Sequence, residues 1–329
     1  MAEMQQNILK QKKSLKIKKK DKITWKTIKN QKQLIFMSVP FLVYVIIFSY
    51  APLWGWLMAF EKYDMSKTSV LGQKWIGLDN FKTLFTAHYM HFPQVLRNTV
   101  AMSVINLTLG TLTAIIFALL LNEIKNMFLK RTVQTISYLP HFLSMIIATG
   151  IIANVLSADT TIGIINNLLM KFHLVSQPIL FLGIPKAFWA IVGISSVWKE
   201  LGWNTIIYLA AISSVDPALY EAAEIDGAGR FNKIWHVTLP GIKSTIIILL
   251  IMSIGNLLGA SGFELQYFLG TGIVADYSQN IAVFVLQYGI NKYNFGLATA
   301  AGMFQSIVSV SLLLIANFIS GKLGEEKLL

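Results

Sequence analysis

Hydrophobic residues in this chain occur in long runs separated by shorter polar stretches. Six runs reach about 20 residues, the length that an α-helix needs to cross the hydrocarbon core of a membrane. They cover roughly Leu34–Phe60, Val100–Leu121, Val133–Leu156, Ala187–Ile212, Thr245–Leu269 and Gly296–Ile319. The fourth run is the weakest, because Lys199 and Glu200 lie near its middle. The pattern predicts an all-α polytopic membrane protein with six transmembrane helices.

Composition supports the membrane class. The 329 residues are 54% hydrophobic and only 13% charged, and the mean hydropathy is +0.58. Soluble domains usually contain about 25% charged residues. The chain has no cysteine, which excludes disulfides and cysteine metal sites. The first apolar run is too long for a cleaved signal peptide.

Positive charge is concentrated before the first apolar run. The net charge is +12, and eleven lysines lie within residues 1–33. A lysine-rich segment beside a span favours the cytoplasmic side and contact with anionic lipid, rather than nucleic acid. Because the number of predicted spans is even, both termini are predicted to be cytoplasmic. We therefore divide the chain into a cytoplasmic tail, residues 1–33, and a transmembrane domain, residues 34–329.

The polar stretch between the fourth and fifth runs, residues 213–244, has the signals of an ordered loop. Asp216 is a good N-cap and Pro217 suits the first helical position, so a short helix is predicted to continue to Ile225. Gly227 is expected to end this helix. A second short segment then leads to Pro240, where the chain can turn into the fifth span.

One motif in this stretch is highly specific. Residues 221–240 read EAAEIDGAGRFNKIWHVTLP. Glu-Ala-Ala is followed after three residues by Gly and, after nine more, by Val237 and then Leu-Pro. This spacing resembles the EAA loop of permease subunits in binding-protein-dependent ABC importers, and it differs from their pattern only at Val237, where the family has Ile.

Further stretches are similar to maltose-type carbohydrate permeases, particularly those that serve complex oligosaccharides such as alginate or pectin fragments. The supporting sequences are residues 198–205, residues 208–220, the segment Trp75–Phe81, and the triplet Arg97-Asn98-Thr99. The resemblance covers most of the chain from about residue 34. It implies an ATP-driven importer of a sugar or oligosaccharide in the cytoplasmic (inner) membrane of a bacterium.

In that family the loop is a coupling helix that sits in a groove on the ATP-hydrolysing subunit. The resemblance assigns ATPase coupling to Glu221, Ala222, Ala223, Asp226, Gly227, Leu239 and Pro240. It also implies a pair of ATP-binding subunits, a second homologous permease that forms a heterodimer with this chain, and an extracytoplasmic solute-binding protein. The sequence contains no G-x-x-x-x-G-K-[ST] phosphate loop, so ATP and Mg are expected on the partner ATPase. This chain is predicted to be no enzyme and to bind no cofactor.

Polar residues inside the predicted spans are candidates for the substrate path, because intramembrane charges usually face a cavity or a partner. These candidates are Lys199, Glu200, Asn204, Asn256, Glu264, Gln266 and Tyr267. Lys199 and Glu200 point about 100° apart as helix neighbours and are not expected to pair with each other. They either line the path or pair with another helix or the sister permease. No catalytic residue and no metal site is predicted.

Two other classes of membrane protein are alternatives to the importer. A self-contained secondary transporter or channel would show inverted repeats or broken helices, and no convincing repeat is visible in the sequence. A membrane-embedded enzyme would cluster catalytic residues within the bilayer. The coupling-loop motif favours the importer permease over both.

Overall fold

The computed structural model describes residues 31–64, 66, 73–259, 262–270, 272–324 and 328. Almost all of the lysine-rich tail, residues 1–33, therefore lies outside the described residues. The chain divides into two compact units, one that ends at Gly55 and one that begins at Trp56.

The described residues form α-helices and one short antiparallel hairpin. In chain order they are α1 Lys32–Val45, β1 Glu61–Lys62, β2 Lys74–Trp75, α2 Asp79–Thr86, α3 Phe92–Glu123, α4 Met127–Tyr138, α5 Met145–Val155, α6 Ile164–Lys171, α7 Pro185–Ser213, α8 Pro217–Ile225, α9 Arg230–Lys233, α10 Leu239–Gly241, α11 Lys243–Gly255, α12 Phe263–Leu269, α13 Ala275–Ser278, α14 Ile281–Leu286 and α15 Phe295–Lys322. Four of these helices continue directly into π-helical or 3₁₀ turns: α1 through Ile46–Tyr50 and Ala51–Phe60, α4 through Leu139–Phe142, α9 through Ile234–Thr238 and α14 through Gln287–Asn291.

Three helices in the described residues are long and apolar enough to cross a membrane by themselves. They are Lys32–Phe60, His88–Glu123 and Phe295–Lys322. Two bent helix pairs, Met127–Phe142 with Met145–Val155 and Arg230–Gly241 with Lys243–Gly255, raise the number to five if each pair is one span. These helices fit the predicted all-α membrane class by their length and composition.

The third predicted span, Val133–Leu156, is not one continuous helix. The two helices of this region meet at an angle of 105°. Pro140 lies in the 3₁₀ turn that ends the first helix, and Leu143 is extended. The Ser144 side chain then caps the next helix by accepting a hydrogen bond from the Ile147 amide, at 3.3 Å. Proline and an N-cap serine close together break a run that hydropathy alone joins.

The fifth predicted span, Thr245–Leu269, is also wrong as a single helix. α11 ends at Gly255, and α12 begins only after Gly262, whose φ is +73°. Glycine adopts this left-handed conformation without the steric cost that a side chain adds. Three glycines within eight residues, at 255, 259 and 262, explain the interruption.

The second unit contains apolar clusters at different levels of α3 and α7. The cluster that we call the inner cluster joins Ala114 and Ala118 of α3 to Tyr208 and Ile212 of α7, with Val215 and Ile242. The outer cluster joins Met102 of α3 to Phe188 and Val192 of α7, with Leu265, Leu269 and Val274. A third cluster packs α2, the start of α3, α14 and α15 together. The inner and outer clusters define the two ends of the bundle, and the residues between them on α3 and α7 form its waist.

Candidate coupling surface and substrate path

Helix α8 begins where the sequence predicts. The Asp216 side chain accepts a hydrogen bond from the Ala218 amide, at 2.9 Å, and Pro217 occupies the first turn. Asp216 satisfies one of the amides that a helix start leaves unpaired, and proline has no amide to satisfy there. The start of the motif helix is therefore fixed by two consecutive residues.

The end of α8 explains the glycine of the motif. The Gly227 amide donates to the Glu224 carbonyl, at 3.0 Å, and the Ala228 amide donates to the Ala223 carbonyl, at 2.8 Å. These two bonds form a Schellman motif, in which the residue after the C-cap is left-handed. Gly227 has φ +78°, a conformation that is sterically unfavourable for L-amino acids. The turn places α9 directly after α8.

An ion pair closes this turn. The Lys233 ammonium donates to the Glu224 carboxylate at 2.5 Å. Its hydrogen bond and its charge lower the pKa of Glu224 below the ordinary value, with a smaller contribution from the charge of Lys125. Lys125 belongs to the short connection between α3 and α4, so positive charge from a neighbouring connection also reaches the motif helix.

The coupling loop, residues 213–244, packs against the inner cluster. The Tyr220 hydroxyl lies 3.0 Å from the Thr238 hydroxyl, which joins α8 to the π-helical turn. Tyr220, Val237 and Leu239 pack against the inner cluster. Leu239 of the motif thus points into the bundle, while Pro240 is exposed. The loop therefore packs against the inner ends of α3, α7 and α11.

The opposite side of the loop is exposed and partly apolar. Ile225 and Phe231 are each 86% exposed, and Trp235 is 69% exposed. Three motif positions, Glu221, Ala222 and Asp226, are also exposed. Exposed apolar side chains beside carboxylates are typical of protein interaction sites. The structure therefore brings the predicted coupling residues together on one ordered loop with a surface free for a partner.

A polar cavity lies in the waist. Its volume is about 340 Å³, and it lies between α3, α7 and α11. Asn204 and Asn256, two of the predicted path residues, both line it. The other polar lining residues are Ser103, Asn106, Thr111, Tyr208 and Ser253. Amide and hydroxyl groups that point into one cavity can exchange hydrogen bonds with the hydroxyls of a ligand.

Ser103 and Asn106 were not predicted from the sequence. Ser103 is 2% exposed. Its hydroxyl and the side-chain oxygen Oδ1 of Asn106 have no hydrogen-bond partner among the described residues. Unpaired buried polar atoms are rare in proteins and need an explanation. A ligand or water in the adjoining cavity would supply it. The available signal was that both are polar residues within a predicted apolar run.

A second cavity of about 260 Å³ shares Asn106, Gly110 and Asn204 with the first. Glu200 lines this second cavity, together with Leu265 and Gly262 at its outer side. The two cavities therefore adjoin along α3 and α7. Three predicted path residues, Glu200, Asn204 and Asn256, line this polar space.

Lys199 and Glu200 do pair, contrary to the expectation from helix geometry. The Lys199 ammonium donates to the Glu200 carboxylate and to the His141 carbonyl, both at 3.1 Å. The other Glu200 oxygen lies 2.7 Å from His141 Nδ1. The long lysine stem bends to reach its neighbour, and the broken third span supplies two further polar atoms. The His141 ring also stacks on Trp203, at 4.4 Å between ring centroids.

His141 is a third residue that sequence reasoning missed. It lies in the break between α4 and α5, 59 residues before its carboxylate partner. The histidine next to Pro140 in an apolar run was the available signal. Lys199 and Glu200 were expected either to line the path or to pair with another helix or the sister permease. In the structure the charged pair contacts another helical segment of its own chain.

The last three predicted path residues lie apart from this polar space. Gln266 and Tyr267 line a different cavity, of about 510 Å³, beside Gln279 and Gln287. Glu264 lines none of these three cavities. All three residues are on α12, whereas Asn256 caps the end of α11. The interruption between these two helices separates them from Asn256.

Comparison with known proteins assigns the family. The family model described as "Binding-protein-dependent transport system inner membrane component" matches residues 110–324, more than half of the chain. The polygalacturonan/rhamnogalacturonan transport system permease protein YteP of Bacillus subtilis (strain 168) is 40% identical over 296 residues, which are 90% of each chain. Protein LplB of the same strain is 39% identical over 310 residues, 93% of this chain and 94% of LplB.

A solved structure agrees in fold. The crystal structure of a bacterial ABC transporter involved in the import of the acidic polysaccharide alginate contains a chain that is 36% identical. The TM-score is 0.83, and the match covers 92% of this chain and 99% of that one. The resemblance carried by the loop motif is thus confirmed: the chain belongs to the family of inner membrane components of binding-protein-dependent transport systems.

Proposed function

We propose that this chain is the membrane-spanning permease subunit of an ABC importer for an oligosaccharide, and that residues 213–244 couple it to a separate ATPase. The observation that carries the proposal is the coupling loop. Its motif glycine ends α8 in a left-handed turn, its Leu239 is anchored in the inner cluster, and its Glu221 side is exposed. A loop built in this way can transmit a push from a docked subunit to α7 and α11.

The topology is six spans with both termini in the cytoplasm. The three long apolar helices and the two bent pairs supply five spans. α7 supplies the sixth, because its 29 residues are about 43 Å long, more than the hydrocarbon core requires. Its charges at Lys199 and Glu200 lower its mean hydropathy but are mutually neutralised. The tail, residues 1–33, then lies on the side of the coupling loop.

The substrate path runs through the waist. Asn204, Asn256 and Glu200 contribute hydrogen-bonding groups to it, together with Ser103 and Asn106. Lys199 holds Glu200 in place as a positioning residue. Gln266 and Tyr267 belong to an outer vestibule of the same path, beside Glu264. The names of the relatives, which refer to pectin-type polymers and to alginate, support an oligosaccharide as the cargo.

The chain works in a complex. We expect a second homologous permease, a pair of ATP-binding subunits and an extracytoplasmic solute-binding protein. The relative of known structure was crystallised with an alginate pentasaccharide-bound periplasmic protein. ATP and Mg bind the ATPase subunits, and this chain itself needs no cofactor. Closure of the ATPase pair would move the coupling loop and switch the waist between outward and inward access.

The test is affinity purification of the tagged chain from its native membrane. We expect wild type to recover an ATPase and a second permease, and Glu221→Lys to lose the ATPase while keeping the permease. The matched control is Asp79→Lys, the same charge reversal at an exposed carboxylate of α2, which should keep both partners. Recovery of the chain alone from wild type would instead favour a self-contained transporter.

A further inference from the structure

The triplet Arg97-Asn98-Thr99 lies at the end of α3 that is remote from the coupling loop. Asn98 is twenty residues from Ala118 of the inner cluster, which corresponds to about 30 Å along a helix. Asn98 and Thr99 are both 0% exposed. Two of the three residues are therefore buried at the outer end of the bundle, Arg97 is exposed beside them, and the coupling function does not use the triplet.

The side chains of this region bind one short main-chain segment. The Asp276 carbonyl accepts hydrogen bonds from Gln94 at 2.9 Å, Arg97 at 2.9 Å and Asn98 at 3.0 Å. Asn98 also donates to the Gln279 carbonyl, at 2.9 Å. The Thr99 hydroxyl accepts from the Ile281 amide, at 3.0 Å.

α7 contributes to the same grip. Trp189 donates from its indole nitrogen to the Tyr277 carbonyl, at 2.9 Å. The Arg97 guanidinium lies 5.6 Å from the Trp189 ring and 5.2 Å from the Tyr277 ring, which is within the range of cation–π contacts. Arg97 also donates to the Asn98 side-chain oxygen, at 3.1 Å, and so orients its amide. α3 and α7 thus hold α13 from two directions.

The segment held in this way follows α12, and we call α12 and α13 together the roof of the waist cavities. α12 precedes α13, and its Leu265 and Leu269 pack in the outer cluster against Met102 and Phe188. Leu265 also lines the cavity that contains Glu200. α12 is bounded by glycine at both ends: Gly262 is left-handed, with φ +73°, and Gly270 packs so closely against Ser278 of α13 that a Cβ atom there would lie 2.5 Å from its side chain. α12 is therefore in close contact with the segment that the side chains of α3 and α7 hold.

We propose that Gln94, Arg97, Asn98, Thr99 and Trp189 form a latch that keeps α12 and α13 closed over the waist at the extracytoplasmic end. These are positioning residues, because they bind the roof and not the cargo. Releasing the latch lets the roof lift and opens the waist to the outside. The inference rests on the proposed function only for which side of the membrane the outer end faces.

The absence of cysteine from the chain makes a direct test possible. Ser253→Cys places one thiol in the waist cavity with almost no change in size. A membrane-impermeant maleimide is added to intact cells that express the complete complex, and the rate of labelling is measured. Asn98→Ala in this background should raise the rate about tenfold, the effect of losing a buried pair of hydrogen bonds. Trp189→Phe and Gln94→Met, which each remove one bond, should give smaller increases.

The control separates a latch from general loosening. Asn166 is also 0% exposed and makes three hydrogen bonds, to Ser157 and Ile179, in the connection between α5 and α7. Asn166→Ala should leave the rate unchanged. In inside-out vesicles, Asn98→Ala should not raise labelling, whereas partial unfolding would raise it from both sides.

An unchanged rate from outside in all three latch variants overturns the proposal, as does an equal increase in Asn166→Ala. Neither outcome bears on the partner recovery that tests the coupling loop. If the single thiol is labelled only in inside-out vesicles, and the latch variants do not change this, the outer end is not the entrance. The proposal then also fails.

Discussion

The coupling loop and the latch lie at opposite ends of α3 and α7, and they differ in what their polar groups bind. In the loop, Glu221 and Asp226 are exposed, and the ion pair between Glu224 and Lys233 is only partly shielded. In the latch, Asn98 and Thr99 are fully buried and bind the main chain. The inner end therefore leaves polar and charged groups exposed for a partner, whereas the buried polar groups of the outer end bind residues of the same chain.

This difference matters because the two ends share the same two helices. α3 and α7 carry residues of the inner cluster, of the polar waist and of the outer cluster in succession. The loop and the latch are therefore joined by continuous helices rather than by a flexible linker. Variants in the waist and in the loop can show whether a change at one end of these helices stays there.

The largest effect is expected for Gly202→Ala in α7. A Cβ atom at this position would lie 2.2 Å from the Ser137 carbonyl oxygen, and backbone cannot yield as a flexible side chain can. We expect a loss of about 3 kcal/mol, because inserted atoms in a packed contact force the backbone apart. Thermal unfolding of the purified chain would measure it. Gly150→Ala, where nothing lies within 4 Å of the new atom, should be nearly neutral. Equal losses of stability in the two variants would contradict the close packing of Gly202 against Ser137.

Lys199→Met should cost about 2 kcal/mol, because it leaves the Glu200 carboxylate with only His141 as a partner in the waist. The Tm of the variant would show the loss. The double variant Lys199→Met with Glu200→Gln should recover much of it, since removing both charges leaves none uncompensated. If the double variant is as unstable as the sum of the singles, the pair is not coupled.

Gly227→Ala should affect the inner end alone. The left-handed φ of +78° costs an L-residue about 1 kcal/mol, so the Schellman turn is expected to loosen and ATPase recovery to fall several-fold. Gly229→Ala is the matched control two residues on, because its φ of −69° suits any residue. Labelling of Ser253→Cys from outside should not change in either variant. A change there would mean that the loop turn also controls the latch.

The smallest effect is expected for the Glu224 carboxylate. Lys233 lowers its pKa in the folded loop below the ordinary 4.5. The stabilisation is therefore complete above pH 4.5 and is lost as the pH falls through the lowered pKa. Hydrogen exchange of the loop amides, corrected for the intrinsic pH dependence, should rise only below pH 4.5. Glu224→Gln should abolish this dependence, and a rise near neutral pH would point to a different group.

The sequence predicts the coupling loop well because its signals are local. Asp216, Pro217 and Gly227 each act within four residues of their own position, and the structure uses them as expected. The family resemblance rests on the same stretch and is confirmed. The roles of the motif residues in coupling, and of the polar residues in the path, stay predictions.

The helix breaks and the long-range contacts were harder to predict. Averaged hydropathy merges α4 with α5 and α11 with α12, although Pro140, Ser144 and three glycines mark the interruptions. The pairing of His141 with Glu200 joins residues 59 positions apart, and the bond from Asn98 to Asp276 spans 178. No periodic pattern encodes such partners. Arg97-Asn98-Thr99 was recognised only as a resemblance, without its physical reason.

The His141 cluster has a consequence for how the chain is made. α7 is poorly suited to partition into lipid unaided, because Lys199 and Glu200 lie at its centre. His141, whose carbonyl and ring take up both charges, is synthesised 58 residues before Lys199. These two hydrogen-bonding partners are therefore synthesised before the charged helix emerges from the ribosome. We expect α7 to insert against α4 and α5, which precede it in the chain.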